Sequence, residues 1–522
     1  MPFDACVASP HHLASQAGAD ILREGGNAVD AIVATNLVLG VVTPYFCGPG
    51  GDLFAQVWDG APHALHSNGA APAGATPDAI REACVAGHGN THESFPWTAG
   101  MPIFGALPVT VPGAVAGWFA LLDRWGTMTF GEVAAAAIGL AAEGIEVSDL
   151  AAGFFQRGAD RYARDTGWTD VYGPKQPGED WRQPAHAELL RLLADDGPTA
   201  YYEGAIAGAI VDALQARGST MSRDDLAAHR VTWPDALAVM FRDLTILELS
   251  PPTQGATACQ LLATADRFAP GMDAPPRAHL HVEAACAAMA DRERYLGAPE
   301  AMAVDAQALY AADRIDAIVA AIDPDHAADW PVATPMAGGT AYLCAADRDG
   351  LLVSLIQSNY MGFGSGLVVP EFGFGLHNRG AHFSLDASSP NVIAPGRQPT
   401  HTLIPGLAMQ DGRPRYVFGT MGGDGQPQIH LQVLTALVDE GMTPQDAVAA
   451  ARWIVDVADG GVRIESRAPA AVIDHLRRTG QRVTVVGDYE HGMGHAHVIE
   501  VLPDGGYEGG SDPRAEGSVS GV

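Results

Sequence analysis

Residue 340 divides this chain into two kinds of pattern. Before it, apolar residues recur mostly at helical spacing. After it, short Val/Ile/Leu-rich strand runs dominate. At the seam stands "MAGGTAYLCAADRDGLLVSLIQSN", Met336 to Asn359, where Gly338-Gly339-Thr340 opens a strand deep inside 522 residues. Helices first and strands later fit two domains. They fit equally one layered α/β fold whose sheets draw on both halves, and periodicity leaves both open. The Gly-Gly-Thr itself is either the end of a loop or a point where the chain is cut and Thr340 becomes an N-terminus.

The second alternative has a clear chemistry. A threonine hydroxyl is a weak nucleophile at its own pKa, and a free α-amine on the same residue can serve as its base. An internal threonine gains that amine only if the preceding peptide bond breaks. Its hydroxyl attacks the Gly339 carbonyl to give an ester, which water hydrolyses. Gly339, without a Cβ, permits the close approach this needs. An oxyanion site is also required, and "GTMGGDGQPQ" offers the N–H groups of Gly422 and Gly423 after a strand. An ordinary tight turn explains those glycines as well.

Other local signals are plainer. "HHLASQAGADILREGG" reads as a helix stopping at Gly25-Gly26, and "NAVDAIVATNLVLGVV" as a buried helix capped by Asn27. "GPGGDLFAQVWDG" reads as a structural glycine turn, a strand and a hairpin. Thr129 and Glu132 form a capping-box pair. Residues 150–245 read as a helical insert, "SPPTQGATACQLL" as a Pro turn opening a helix, and "AHLHVEAACAAMADRERYLG" as a long helix. The first 60 residues thus read helix, helix, strand. The Asp/Pro/Gly-rich stretch after 315 reads as mobile, and the tail "EGGSDPRAEGSVSGV" as a disordered segment or arm.

Composition narrows the function classes. Sixty-one acidic against 30 basic residues give a net charge of −31, which opposes nucleic-acid binding. Lys175 is the sole lysine and falls in the turn-like "GPKQPGEDW", which argues against Schiff-base chemistry. The six cysteines have no CxxC pair, and Cys344 reads as a small core residue. No signal-peptide or membrane-span pattern is read, so a cytoplasmic protein without membrane contact is expected.

Taken in order, the blocks "EGGNAVDAIVATNLVLGVVTPYFCGPGGDLFAQVWDG", "GALPVTVPGAVAGWFALLDRWGTMTFGEV", "SPPTQGATA", "GTAYLCAADRDGLLVSLIQSNYMGFGSG", "GRQPTHTLIP" and "GTMGGDGQPQIHLQVL" resemble the γ-glutamyltransferase (glutathione hydrolase) family of N-terminal-nucleophile hydrolases. The resemblance covers almost the whole chain. It implies a four-layer αββα sandwich, no cofactor, and self-cleavage between Gly339 and Thr340. A large chain 1–339 and a small chain 340–522 would result, and a homo-oligomer of that pair is compatible with it. Thr340 falls on the family's nucleophile, Ser358 on the threonine that hydrogen-bonds it, and Gly422 and Gly423 on the oxyanion pair.

The departures concern the substrate's head group. His401 and Thr402 stand where mainstream members have two carboxylate-binding serines. This looks like a divergent, γ-glutamyltransferase-like branch that includes an oxamate amidohydrolase and cephalosporin acylases. Asn68 occupies the block where an arginine holds the glutamate carboxylate. His382 replaces an amine-binding acid, Tyr360 replaces an asparagine, and a cation, Arg379, precedes His382 by three residues. The implied substrate is a small-molecule amide with a γ-glutamyl-like or small carboxylated acyl group. Oxamate- and glutaryl-type amides fit, because the ammonium-binding acid is gone and a cation suits a carboxylate.

Two further readings stand beside this one. The missing contacts fit an unprocessed, non-catalytic relative acting as a binding protein. His491, His495 and His497 lie close together and would suit a metal hydrolase, although no carboxylate stands at ligand spacing. His279 and His281 do not share a helix face and read as ordinary.

Overall fold

Asn27 caps a helix over Ala28–Val42 as its sequence requires, its side chain accepting from the N–H groups of Val29 and Asp30 while Asp30 reaches back. Every residue of that helix is buried, so it is a core element with no wet face. Thr129 and Glu132 close the same kind of box ahead of Phe130–Glu143. These are elements of a computed structural model that describes residues 2–89, 99–162, 166–330, 339–456 and 459–522. Met336 and Gly338 lie outside the described residues, as does part of the stretch after 315 read as mobile; the helix Ala312–Ala321 runs into its start.

Two six-stranded antiparallel sheets form the centre. The first runs Ser518–Gly521, Cys6–Ser9, Gly339–Ala346, Leu352–Tyr360, Asp52–Trp58, Pro62–Ser67. The second runs Tyr507–Ser511, Ala496–Val501, Arg413–Thr420, Gly406–Gln410, Leu244–Glu248, Leu237–Phe241. Strand alternation explains the stacking. Tyr342 and Cys344 face a core shared with Phe54, Val417 and Ile499, which lies between the sheets. Ala341, Leu343 and Ala345 face the other way, into the core under Ala28–Val42 and its neighbours. Helices Gly255–Ala265, Ala274–Tyr295 and Gln426–Val438 cover the outer face of the second sheet through Ile246, Phe418 and Val498. The result is helix, sheet, sheet, helix.

Of the two organisations the sequence left open, the layered one is found. Each sheet takes strands from both sides of residue 339, and in the first sheet Cys6–Ser9 lies between two strands from after it. Two expectations need correction. The chain opens on a strand, Cys6–Ser9, and not on a helix. The tail is neither disordered nor a free arm: Tyr507–Ser511 extends one sheet and Ser518–Gly521 the other. Both edges are held by backbone pairing, which needs no apolar side chains. The helical insert is found up to Arg223–Ala227, with Asp149–Tyr162, Pro184–Asp196 and Ala205–Gln215 among its helices, but the end of the expected 150–245 stretch is strand, Leu237–Phe241 and Leu244–Glu248 pairing in the second sheet.

Candidate active site

Gly339–Ala346 and Leu352–Tyr360 pair across a bulge. Gly339 stands opposite Tyr360 and Thr340 opposite Ser358, so Asn359 has no partner on the other strand. The bulge kinks the strand at the 339–340 bond. Ser358 fills the kink: its Oγ accepts from the Thr340 hydroxyl at 3.0 Å and from the Tyr360 N–H at 2.8 Å, and donates to the Gly339 carbonyl at 2.7 Å. One hydroxyl therefore touches both the Thr340 oxygen and the carbonyl it would attack. Gly339 is glycine for steric reasons, since a Cβ there would lie 2.7 Å from the Gly362 nitrogen and 2.9 Å from the Tyr45 carbonyl. The glycine turn at 48–51 supports the same strand, because a Cβ on Gly51 would meet the Ser358 carbonyl at 2.5 Å.

Tyr360 has φ of 74°, a left-handed conformation that costs an aromatic residue of order 1–3 kcal/mol. Its ring stacks on Arg379, whose guanidinium carbon lies 4.0 Å from the ring centroid. Arg379 is 1% exposed. One of its nitrogens donates to the Thr402 hydroxyl at 3.2 Å, while Nε and Nη2 have no partner among the described residues. Among those residues no carboxylate forms an ion pair with it. Burial pulls its pKa down to about 10, with Tyr360 and Asp52 opposing, so it remains a cation at neutral pH.

The rest of this corner holds one buried carboxylate, Asp52, among neutral imidazoles. His401 Nε2 lies 3.2 Å from Asp52, and burial lowers the imidazole to about 3, so a neutral ring donates to a carboxylate. Asp52 also accepts from the Gly69 and Gly113 N–H groups, and His377 lies 3.7 Å away. Burial drives His382 well below its ordinary value, with Arg292 and Arg379 adding to the effect. Its Nδ1 meets the Thr400 hydroxyl and the Asn391 amide. A cavity of about 560 Å3 opens here, walled by Tyr360, His382, Arg292, Glu293, Asn391 and Thr400. Among the described residues its one acidic wall residue is Glu293, which is paired with Arg292.

The Gly422-Gly423 turn follows the Arg413–Thr420 strand and leads into the Gln426–Val438 helix. Both glycines have positive φ, 152° and 56°. Among the described residues neither N–H has a hydrogen-bond acceptor. The helix that follows adds the positive end of its dipole. Gln254 straps this turn in place, donating from Nε2 to the Gly423 and Thr402 carbonyls at 2.9 Å each and accepting from Arg292 at 3.2 Å. Arg292 in turn pairs with Asp424.

The structure thus brings Thr340, Ser358, Tyr360, Arg379 and Thr402 into one connected set, with His382 in the adjoining cavity. Asn68 stands apart: its side chain has no partner among the described residues, and it lines a different depression with Ala70, His229 and Gln398. Asp52, Gln254, Arg292 and His377 went unread as site residues. Asp52 has a signal, a lone acid between a glycine turn and a mostly apolar strand. His491 and His495 pack edge to face at 4.4 Å around Phe46, and among the described residues no group of three or more His, Cys, Asp or Glu is placed to share a metal ion.

Comparison with known proteins decides the family. Residues 14–522 match the gamma-glutamyltranspeptidase family profile. This chain is a gamma-glutamyltranspeptidase family member. Within the family it is 36% identical to the oxamate amidohydrolase proenzyme of Klebsiella pneumoniae, over 98% of this chain and 97% of that one. It is 34% identical to the glutathione hydrolase-like YwrD proenzyme of Bacillus subtilis, over 99% and 98%. The crystal structure of cephalosporin acylase from Bacillus halodurans superposes with a TM-score of 0.92 at 34% identity, covering 100% of this chain and 96% of that one. The αββα layering is the family's, as the resemblance implied, and the chain is an enzyme of the amide-bond hydrolase and acyltransferase class.

Proposed function

We propose that this protein is a self-processing threonine amidohydrolase whose substrates carry a carboxylate on a small acyl group and no neighbouring ammonium. The observation that carries the substrate class is Arg379. It is a buried cation with two undonated N–H groups in a fork that matches a carboxylate. Thr402 steadies one arm of the guanidinium. A γ-glutamyl head group would also need an acid for its ammonium, and Glu293, the one acid among the described residues of the cavity wall, is already paired. Relatives named oxamate amidohydrolase and cephalosporin acylase act within the same range of chemistry.

The first reaction is intramolecular. The Thr340 hydroxyl adds to the Gly339 carbonyl, whose oxygen accepts from Ser358. The C–N bond breaks, the proton passes to the new Thr340 amine, and water hydrolyses the resulting ester. Chains 1–339 and 340–522 result. In turnover the freed amine takes the hydroxyl proton as Oγ1 attacks the substrate amide. The Gly422 and Gly423 N–H groups meet the developing oxyanion. The amine leaves with the proton, and water releases the acid from Thr340. Transfer to an amine acceptor competes at this last step.

The test is the denatured mass of the purified protein followed by an amide panel. The expected result is two chains, the smaller beginning at Thr340. Oxamate or glutaryl amides should be cleaved at least about tenfold faster than γ-glutamyl amides, the size of one lost charged contact. A single uncut chain would leave the non-catalytic relative as the reading. Preference for γ-glutamyl amides would overturn the role given to Arg379.

A further inference from the structure

Neither Thr340 nor Arg379 belongs to the wall of the 560 Å3 cavity; Tyr360 does. The tyrosine ring lies on the guanidinium and is itself only 2% exposed. It is therefore a partition between the space a substrate can enter and the groups that would hold it and react with it.

What keeps the partition in place is unusual. Tyr360 holds a backbone conformation that an aromatic residue adopts only when its surroundings impose it. Two restraints impose it here. Its strand partner is Gly339. Its N–H is held by Ser358 Oγ, which is oriented by donating to the Gly339 carbonyl. Both restraints end on Gly339, the residue on the departing side of the 339–340 bond.

We infer that Tyr360 is a shutter on the acyl pocket, locked by the intact 339–340 bond and released when that bond is cut. The inference rests on the cleavage and on the carboxylate-binding role of Arg379 proposed above. Cleavage converts the Gly339 carbonyl into a carboxylate at a free chain end. A buried carboxylate facing a hydroxyl, beside an amine that must be unprotonated to act as the base, is costly, so Gly339 leaves its place opposite Tyr360. The tyrosine backbone relaxes to negative φ and its ring swings off Arg379. The cavity then reaches the guanidinium and Thr340. Processing would thus both create the nucleophile and admit the substrate, and the uncut chain would neither cleave nor bind small carboxylates.

Calorimetric titration with oxalate, succinate and glutarate distinguishes the outcomes. Four proteins are compared: processed wild type, processed Arg379→Met, uncut Thr340→Ala, and Thr340→Ala carrying Tyr360→Asn. Asparagine tolerates positive φ and is too short to cover Arg379. Thermal melts of each protein confirm folding, and Tyr360→Gly repeats the double variant with no conformational demand. At least one diacid is expected to bind processed wild type and to be lost in Arg379→Met. The same diacid should bind the uncut Thr340→Ala chain at least about tenfold more weakly, the shutter reducing the competent fraction. Binding should return in the uncut double variant. Equal binding by cut and uncut chains would overturn the shutter and leave Arg379 standing. Binding unaffected by Arg379→Met, or none to the processed protein, would overturn the anchor and the shutter with it.

Discussion

The two corners of the site differ in how their polar groups are satisfied. At the bulge, the Thr340 hydroxyl, the Ser358 hydroxyl, the Gly339 carbonyl and the Tyr360 N–H form a closed set. At the other corner Arg379 keeps two donors without partners, although it is equally buried. A buried donor left unpaired costs about 1–3 kcal/mol, more when charged. A fold retains such a group where something else completes it. On the proposed reading, the bulge serves a reaction of the chain with itself, and Arg379 a molecule from outside.

Thr340→Ala tests the first corner most severely. It should abolish both processing and turnover, with activity down by at least about 10^4-fold, because hydroxyl and α-amine base vanish together. A single band on a denaturing gel and a flat product trace check it. Arg379→Met tests the second corner alone. It should leave two chains on the gel while kcat/KM for carboxylated amides falls by about 10^2- to 10^3-fold, the range for removing one partner of a buried charge pair. Loss of processing in that variant would mean that the two corners are not independent. Gln254→Ala addresses the strap between them, since Gln254 holds the Gly423 and Thr402 carbonyls together. A fall in kcat of about ten- to a hundredfold is expected, with KM changing less, read from initial rates.

The last test is a pH dependence of stability, which leaves the chemistry of both corners untouched. His401 is lowered to about 3 by burial, and His497 to about 4. Between those values and the ordinary 6.5 the unfolded chain binds more protons than the folded one. Their contribution to stability is therefore complete above pH 6.5 and is lost as pH falls toward 4 and then 3. Each costs about 1.4 kcal/mol per pH unit in that window. Denaturant midpoints measured from pH 7.5 to 4.5 should decline monotonically, with no loss between 7.5 and 6.5.

Legibility in the sequence followed the range of the interaction. Asn27 and Thr129 announce their helices because a cap bonds within three residues. Thr340, Ser358, Gly422 and Gly423 could be named because they sit in recognisable blocks. Cys6–Ser9 and Ser518–Gly521 were not readable, since four residues carry no period and their pairing spans the whole chain. Gln254 sits in the Pro turn at 250–254, and no local pattern marks it, because its partners are 148 and 169 residues away. Asn68 was placed with the substrate by its block, yet it lines another depression. Arg379 was readable as a cation in the right block. That it is both buried and short of partners is a property of packing, which no local pattern encodes.

The interleaved strands carry one more consequence. Cys6–Ser9 lies between Ser518–Gly521 and Gly339–Ala346, and Leu352–Tyr360 is flanked by Asp52–Trp58. A chain nicked after Gly339 would therefore be two polypeptides woven through one pair of sheets. Neither could leave without tearing both. Such a protein would not come apart on dilution, and two batches bearing different isotopes, mixed and left together, would yield no hybrids. Its halves would age, melt and be degraded as one molecule.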